Sequence, residues 1–289
     1  MSEIQSPNLN SKKSMSNLKN QSDVGHWTSD FGLYYETSGA GAPLVLIPGF
    51  AQGAWTWKWQ IDELSKYFQV VTFDPRGVSR SRIDENMRPQ ISMRSLAADV
   101  LQLLDALKIE KATVLGISFG GFVAQEFALA NPARLKKLIL ASTSFGGKNH
   151  VAPNLEVLTA FVSTNDLNGP ERIRKFLIPA FTPEFYAVHG EIVEEVCLLR
   201  EQNFVPEAIY LQQLQAAMNF EAESRVAQIQ AETLVLSGDR DIVVPPQNSV
   251  NLAKEIPKAQ LEIVAGGGHM FFIEKAADFN QIVKDFIKV

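Results

Sequence analysis

Short apolar runs alternate along this chain with longer amphipathic segments, and this alternation constrains the fold more than any other feature. Several runs, such as 44–47 and 234–236, are continuously apolar, as in strands that are buried on both faces of a parallel sheet. The segment 92–107 instead places its leucines at helical spacing. The pattern predicts an α/β fold in which helices cover both faces of a mostly parallel central sheet.

The alternation gives definite positions for strands and helices. The first two strands flank the turn-forming sequence Asp30-Phe31-Gly32 and predict an initial hairpin. Helices are predicted over 92–107, 122–130 and 275–289. Pro132 ends the second helix, because proline disfavours helical geometry in the residue before it. The predicted strands are 27–30, 33–37, 44–47, 70–73, 113–115, 138–141, 234–236 and 261–264.

Residues 144–226 continue the helical periodicity but contain no convincing strand. We predict that this segment is a helical insertion, which we call the cap. The flanking segments 23–143 and 227–289 are predicted to form one core domain, and residues 1–22 a flexible tail. The tail is rich in Ser, Asn and Lys and lacks the apolar stretch of a signal peptide, so we expect a cytoplasmic protein.

The composition excludes several classes of function. A net charge of −5, with both signs spread along the 289 residues, leaves no basic stripe for a phosphate backbone, so nucleic acid is not an expected partner. The single cysteine, Cys197, can form neither an internal disulfide nor a cysteine metal cluster, and its apolar neighbours predict an inert, buried thiol. No apolar run approaches the roughly 18 residues of a membrane span.

The sequence Gly116-Ile117-Ser118-Phe119-Gly120 matches the G-x-S-x-G pattern of a nucleophile elbow. A predicted strand precedes it and a predicted helix follows it, which is the context that such an elbow needs. The sharp turn strains the backbone of the serine, and side chains in place of the two glycines would collide with neighbouring chain. We therefore predict that Ser118 is a nucleophile, rather than a serine that only caps the helix.

A serine hydroxyl needs an adjacent base at neutral pH, and the chain has four histidines. His269 follows the last predicted strand through a glycine-rich loop that can carry an imidazole over the sheet edge. His26, His150 and His189 have no strand end beneath them, and we expect them to be exposed or structural. The sequence therefore predicts His269 as the base.

The histidine in turn needs a carboxylate that fixes its tautomer, and in this fold it comes from a strand end between serine and histidine. Asp239 and Asp241 both follow the predicted strand 234–236. Residue chemistry alone does not separate them, because Asp239 could equally accept hydrogen bonds from amides in the turn. The segment 142–144, after the preceding strand, holds no carboxylate.

The oxyanion of acyl transfer needs two preorganised amide donors. We predict the backbone N–H groups of Phe50, in the loop after strand 44–47, and of Phe119, directly after the nucleophile. Four aromatic side chains are candidates for the lining of an apolar substrate pocket, although packing is the alternative for each. These candidates are Trp55, Phe161, Phe181 and Phe185.

Together these motifs resemble the α/β-hydrolase superfamily, in particular its cap-bearing branch of serine carboxylesterases and enol-lactonases. The resemblance runs from about residue 32 to the C-terminus, and includes Phe73-Asp74-Pro75-Arg76-Gly77 and Gly238-Asp239-Arg240-Asp241. In relatives the second aspartate of the latter motif is catalytic, which implies Asp241. Pro48 stands where relatives carry histidine, and 77–81 lacks their usual histidine, so we interpret that segment as structural.

The resemblance implies hydrolysis of small to medium, mostly apolar carboxylic esters, without a metal or an organic cofactor. An enol-lactonase, a carbon–carbon bond hydrolase or a perhydrolase would use the same three residues, and the elbow does not distinguish them. Epoxide and haloalkane hydrolases carry aspartate at the elbow, which argues against them here. A non-catalytic ligand receptor on the same frame would lack a triad member, whereas Ser118, Asp241 and His269 are all present.

Overall fold

A single sheet of eight strands forms the centre of the protein, in a computed structural model that describes residues 26–28, 32–81, 91–163 and 165–288. The strands are β1 (His26–Trp27), β2 (Tyr34–Ser38), β3 (Ala42–Ile47), β4 (Phe68–Phe73), β5 (Ala112–Ile117), β6 (Leu135–Ala141), β7 (Thr233–Gly238) and β8 (Ala259–Val264). Each of them overlaps a predicted strand. Their order in the sheet is β1-β2-β4-β3-β5-β6-β7-β8.

The order and directions of the strands create a crevice outside the carboxyl ends of the parallel strands. β2 is antiparallel to both β1 and β4, whereas every other neighbouring pair is parallel, so the mostly parallel sheet is confirmed. Residues 29–31, which include part of the predicted hairpin turn, lie outside the described residues. β4 and β5 lie on opposite sides of β3, so the strand order reverses there. In parallel sheets, ligands bind outside the carboxyl ends of the strands at such a reversal.

Ten α-helices surround the sheet in the described residues. They are α1 (Lys58–Leu64), α2 (Met93–Ala106), α3 (Phe119–Ala130), α4 (Leu155–Val162), α5 (Pro170–Leu177), α6 (Pro183–Gln202), α7 (Glu207–Met218), α8 (Gln247–Glu255), α9 (Phe271–Glu274) and α10 (Ala276–Lys288). None of these helices combines the length and the apolar character needed to cross a lipid bilayer.

The two faces of the sheet carry separate hydrophobic cores, because side chains alternate along each strand. On β3, Val45 and Ile47 pack into one core together with α2, α3 and α8. Leu44 and Leu46, which point to the other face, pack into a second core with α1 and α10. The prediction that helices cover both faces is confirmed.

Two helix starts differ from those predicted. α3 begins at Phe119 rather than at 122, because the elbow turns directly into the helix and the low helix propensity of Gly120 and Gly121 conceals this start in the sequence. The start of α2 agrees with the prediction, because Ser92, the first residue of the predicted segment, is the N-cap of the helix. Its hydroxyl accepts a hydrogen bond from the Ser95 N–H, and the Ser95 hydroxyl accepts one from the Ser92 N–H. The last helix begins at Ala276, after the separate short helix α9.

The cap, residues 144–226, carries α4 to α7 between β6 and β7. Its described residues contain no strand, and the only strand-like pairing there is an isolated bridge between Gly146 and Glu221. The Ser79 N–H donates to the carbonyl of Phe204 at 3.0 Å, which ties the loop after β4 to the cap. That cap and core are separate domains stays a prediction.

Candidate active site

A cavity of about 140 Å³ lies outside the carboxyl ends of the strands, at the reversal between β3 and β5. The core contributes the loops after β3, β5, β7 and β8, and the cap contributes α4, α5 and the segment 177–180. Glu156 and Lys175 also line the cavity, and both are solvent-exposed. The interior is therefore mostly apolar, with its polar groups concentrated on the core side.

Ser118 sits at the apex of a strained turn between β5 and α3. Its backbone has φ 52° and ψ −118°, in a region that costs a non-glycine residue roughly 1–3 kcal/mol. A Cβ atom on Gly116 would lie 2.2 Å from the Gly120 carbonyl oxygen, and one on Gly120 would lie 2.3 Å from that of Ile47. The predicted steric role of both glycines is confirmed. The Ser118 hydroxyl has no hydrogen-bond partner among the described residues, and Ser118 lines the cavity.

His269 reaches the same cavity from the loop after β8. Its Nδ1 lies 2.9 Å from Oδ2 of Asp241, whose side chain is fully buried. The other carboxylate oxygen of Asp241 accepts the backbone N–H groups of Val243 and Val244, at 2.9 and 2.8 Å. These bonds fix the carboxylate rigidly behind the imidazole, which leaves Nε2 as the ring nitrogen free to exchange a proton.

The structure separates the two aspartates that residue chemistry left open. Asp239 is exposed, and its carboxylate accepts the Gly266 N–H at 2.7 Å, so it stabilises the turn rather than contacting the imidazole. Asp241 is 3% exposed and is the carboxylate bonded to His269. The position implied by the resemblance therefore has the geometry that a histidine-orienting acid requires.

Glu274, which the sequence analysis missed, holds the histidine loop. This buried carboxylate accepts the Gly268 N–H through one oxygen and the Thr182 N–H of the cap through the other, both at 2.5 Å. The Met270 N–H donates to the Ala180 carbonyl at 3.0 Å, a second link between this loop and the cap. An acidic residue in the first turn of a short helix gave no sequence signal for this long-range role.

The two predicted oxyanion donors are free of other hydrogen-bond partners. Neither the Phe50 nor the Phe119 N–H donates to any described residue. The neighbouring Ala51 has φ 54°, and its N–H donates at 2.9 Å to Oε1 of Gln213, a buried cap residue on α7. Gln213 therefore restrains the loop that carries the Phe50 amide. The catalytic use of the two amides stays a prediction.

Only one of the four aromatic candidates lines the cavity. Phe161 does so, together with Phe176, another of the cap phenylalanines. Val157 also lines the cavity, and the sequence analysis missed it because helical spacing alone does not tell which cap face turns inward. Phe181 and Phe185 lie elsewhere in the cap and stack on each other with ring centroids 5.9 Å apart. Trp55 also lies outside the lining, where it packs against the core on the α1 side of the sheet. Phe181, Phe185 and Trp55 therefore pack against other residues of the protein, which was the alternative to lining the pocket.

The other three histidines have no part in the cavity lining. His26 and His189 are exposed. His150 has its Nδ1 3.0 Å from the Ser144 hydroxyl, and burial lowers the pKa of its imidazole. Their placement agrees with the expected exposed or structural roles.

The segment 74–81 is held by ion pairs away from the cavity. Arg80 bonds the fully buried Asp74 through its Nε at 2.8 Å, and Arg76 pairs with the buried Asp99. Burial raises the pKa of Asp99 against the opposing effect of the Arg76 guanidinium. This agrees with the structural interpretation of the segment that lacks the histidine of its relatives.

Comparisons with known proteins bear on the chemistry of this site. A family model of the alpha/beta hydrolase fold matches residues 42–276. A protein of Azorhizobium caulinodans named "putative carbamate hydrolase RutD" is 30% identical, over 89% of this chain and 95% of its own. A protein of the same name in Stutzerimonas stutzeri is 28% identical, over 88% of this chain and 96% of its own.

Solved structures that superpose on this chain also include hydrolases. A hydrolase from Pseudomonas aeruginosa superposes with a TM-score of 0.79 at 26% identity, covering 92% of this chain and 98% of its own. A meta-cleavage product hydrolase from Pseudomonas fluorescens gives a TM-score of 0.76 at 26% identity, with coverages of 92% and 97%. An enol-lactonase from Burkholderia xenovorans shares the fold, with a TM-score of 0.80 at 23% identity over 92% of this chain and 100% of its own.

Proposed function

The chain belongs to the α/β-hydrolase family, and from this premise we propose that it is a serine hydrolase that cleaves carboxylic esters through an acyl-enzyme on Ser118. One observation carries the proposal. The buried Asp241 bonds Nδ1 of His269 at 2.9 Å, and His269 and Ser118 line the same cavity. The bond supports orientation of the imidazole by a carboxylate, and the shared lining supports activation of the Ser118 hydroxyl by that imidazole.

The reaction would proceed in two steps. Nε2 of His269 takes the proton of the Ser118 hydroxyl as its oxygen attacks the ester carbonyl, and the imidazolium then gives that proton to the leaving alcohol. A water molecule, deprotonated by the same nitrogen, releases the acid from the acyl-enzyme. The amides of Phe50 and Phe119 would bind the oxyanion in both steps, and their lack of other acceptors supports this role.

The shape of the cavity favours a small to medium apolar acyl group. Val157, Phe161 and Phe176 form an apolar wall on the cap side. Glu156 and Lys175 lie where the cavity meets solvent, so a substrate's buried part meets few charges. Burying an unpaired charge against such a wall would be costly, which argues for a neutral acyl chain.

Hydrolysis of a carbamate is a second candidate, because the two sequence relatives described above carry that name. The same three residues could attack a carbamate carbonyl, and nothing in the elbow discriminates against a nitrogen beside it. Methyl acetate and methyl carbamate release the same alcohol, so methanol release compares the two directly. The ester proposal predicts the higher kcat/KM for methyl acetate, and the reverse order favours the carbamate.

The hydrolase proposal is tested with Ser118→Ala and short-chain p-nitrophenyl esters. We expect a loss of about a thousandfold or more in kcat, since the nucleophile is removed while the cavity stays intact. An unchanged melting temperature serves as the control for folding. Equal turnover by wild type and variant would remove the proposal and leave the receptor alternative.

A further inference from the structure

Two buried arginines lie together in the cap, and no described carboxylate pairs with either of them. Arg172 on α5 is 9% exposed and Arg200 on α6 is 6% exposed. Among the described residues, neither guanidinium forms an ion pair; the groups that they bond are backbone carbonyls, an amide oxygen and a phenol. A buried charge is costly unless it is paired, so this cluster is electrostatically incomplete.

The neutral partners also leave hydrogen-bonding capacity unused. The Arg172 Nε is buried and has no hydrogen-bond partner among the residues that the structure describes. Burial lowers the pKa of Arg200 to about 10, and the neighbouring Arg172 charge acts in the same direction. The Arg200 guanidinium therefore still carries its charge at neutral pH, and the neighbouring Arg172 charge repels it.

Arg172 and Arg200 both line one small pocket at the junction of cap and core. Arg172, Arg200 and Tyr210 line it on the cap side, and Ala51 lines it from the core. Its volume of about 10 Å³ suits a single ligand little larger than a water molecule. Phe176 is the one described lining residue that this pocket shares with the catalytic cavity.

We propose that this pocket binds one small, free monovalent anion of halide size, such as chloride. Arg172 and Arg200 line the pocket, and their guanidiniums supply the positive charge and the N–H donors that an anion requires. Because the pocket is separate from the catalytic cavity and shares only Phe176 with its described lining, the ligand is a free ion and not a group on the substrate. The bound ion would connect the cap to the core loop at Ala51, next to the Phe50 amide.

The proposal is tested by thermal unfolding in sodium chloride and in sodium gluconate at equal ionic strength. A ligand that binds only the folded state stabilises it, so we expect the melting temperature to be about 2 °C or more higher in chloride. Arg200→Met should abolish the difference. Arg174→Met is the matched control: Arg174 is also a cap arginine but pairs with Glu194 and Glu201, and this variant should keep the difference.

A bromide soak decides the question without any variant, should Arg200→Met fail to fold. The anomalous signal of bromide is expected as a peak between the Arg172 and Arg200 guanidiniums. Equal melting temperatures in the two salts, together with a pocket that holds only water or an acidic side chain, would overturn the proposal. None of these measurements depends on catalysis, so they stand apart from the test of the hydrolase proposal.

Discussion

The core and the cap build one cavity in different ways. The core supplies the chemically reactive side chains from strand ends, where buried hydrogen bonds such as those of Asp241 fix their positions. The cap supplies apolar wall residues on short helices, and one of these, α4, also exposes Leu155, Leu158 and Val162 to solvent. From this difference we expect the core to set the reaction and the cap to set which molecules fit. Substitutions in the core should therefore lower turnover, whereas substitutions in the cap should change selectivity.

The sharpest test of the core side compares the two aspartates of one turn. Asp241→Asn should lower kcat by about ten-thousandfold, because an amide no longer holds the imidazole in the productive tautomer. Asp239→Asn is the matched control and should retain nearly full activity, since its carboxylate bonds only the Gly266 N–H. Steady-state kinetics on a p-nitrophenyl ester measure both, and the opposite order of losses would reassign the acid.

Gln213 belongs to the cap, but its substitution should lower turnover, as substitutions in the core do. Gln213→Leu leaves the Ala51 N–H without its acceptor and loosens the loop of the Phe50 amide. We expect kcat to fall about ten- to a hundredfold with a small change in KM, a fraction of the effect of losing an oxyanion donor outright. Gln212→Leu, whose side chain accepts the Ile91 N–H instead, is the control. Equal kcat for both variants would contradict a positioning role for Gln213.

The cap wall should act on selectivity rather than on rate. Phe161→Ala enlarges the cavity, so the preference between long and short acyl chains should shift about tenfold towards the longer ones. Phe185→Ala removes the same ring outside the lining and should leave this preference unchanged. The ratio of kcat/KM for p-nitrophenyl octanoate and acetate measures the shift. A comparable change in both variants would mean that general loosening of the cap, not the wall, sets the selectivity.

The smallest expected effect concerns Cys197, which lies in the hydrophobic interior of the cap. Cys197 is fully buried, and burial raises the pKa of its thiol to about 11. The thiol should react with Ellman's reagent far more slowly in the folded protein than in guanidinium chloride, and Cys197→Ala should keep full activity. Rapid labelling of the native protein at pH 8 would indicate that the cap opens readily.

The sequence predicted the core better than the cap, and the reason is physical. Strands such as β7 are buried on both faces, so their residues form continuous apolar runs, and Gly116 and Gly120 mark a turn that only glycine allows. These signals are local. The choice between Asp239 and Asp241, by contrast, depends on which carboxylate faces an imidazole 28 residues away, and the resemblance rather than residue chemistry indicated it.

In the cap, helical periodicity gave the class of structure but not which face turns inward. Phe161 and Phe181 are equivalent in sequence terms, yet only Phe161 lines the cavity. The pocket between Arg172 and Arg200 was equally hidden, because two arginines on separate helices form a cluster only after α5 and α6 pack. Glu274 and Gln213 likewise bond partners that are distant in the chain.

A structure of the protein after reaction with a p-nitrophenyl phosphonate ester tests the central claim most directly. Phosphorus should be bound to the Ser118 Oγ, with the phosphonyl oxygen about 3 Å from the amides of Phe50 and Phe119 and with Nε2 of His269 beside the adduct. A phosphonate attached to another residue, or a protein left unmodified at full reagent excess, would contradict the account.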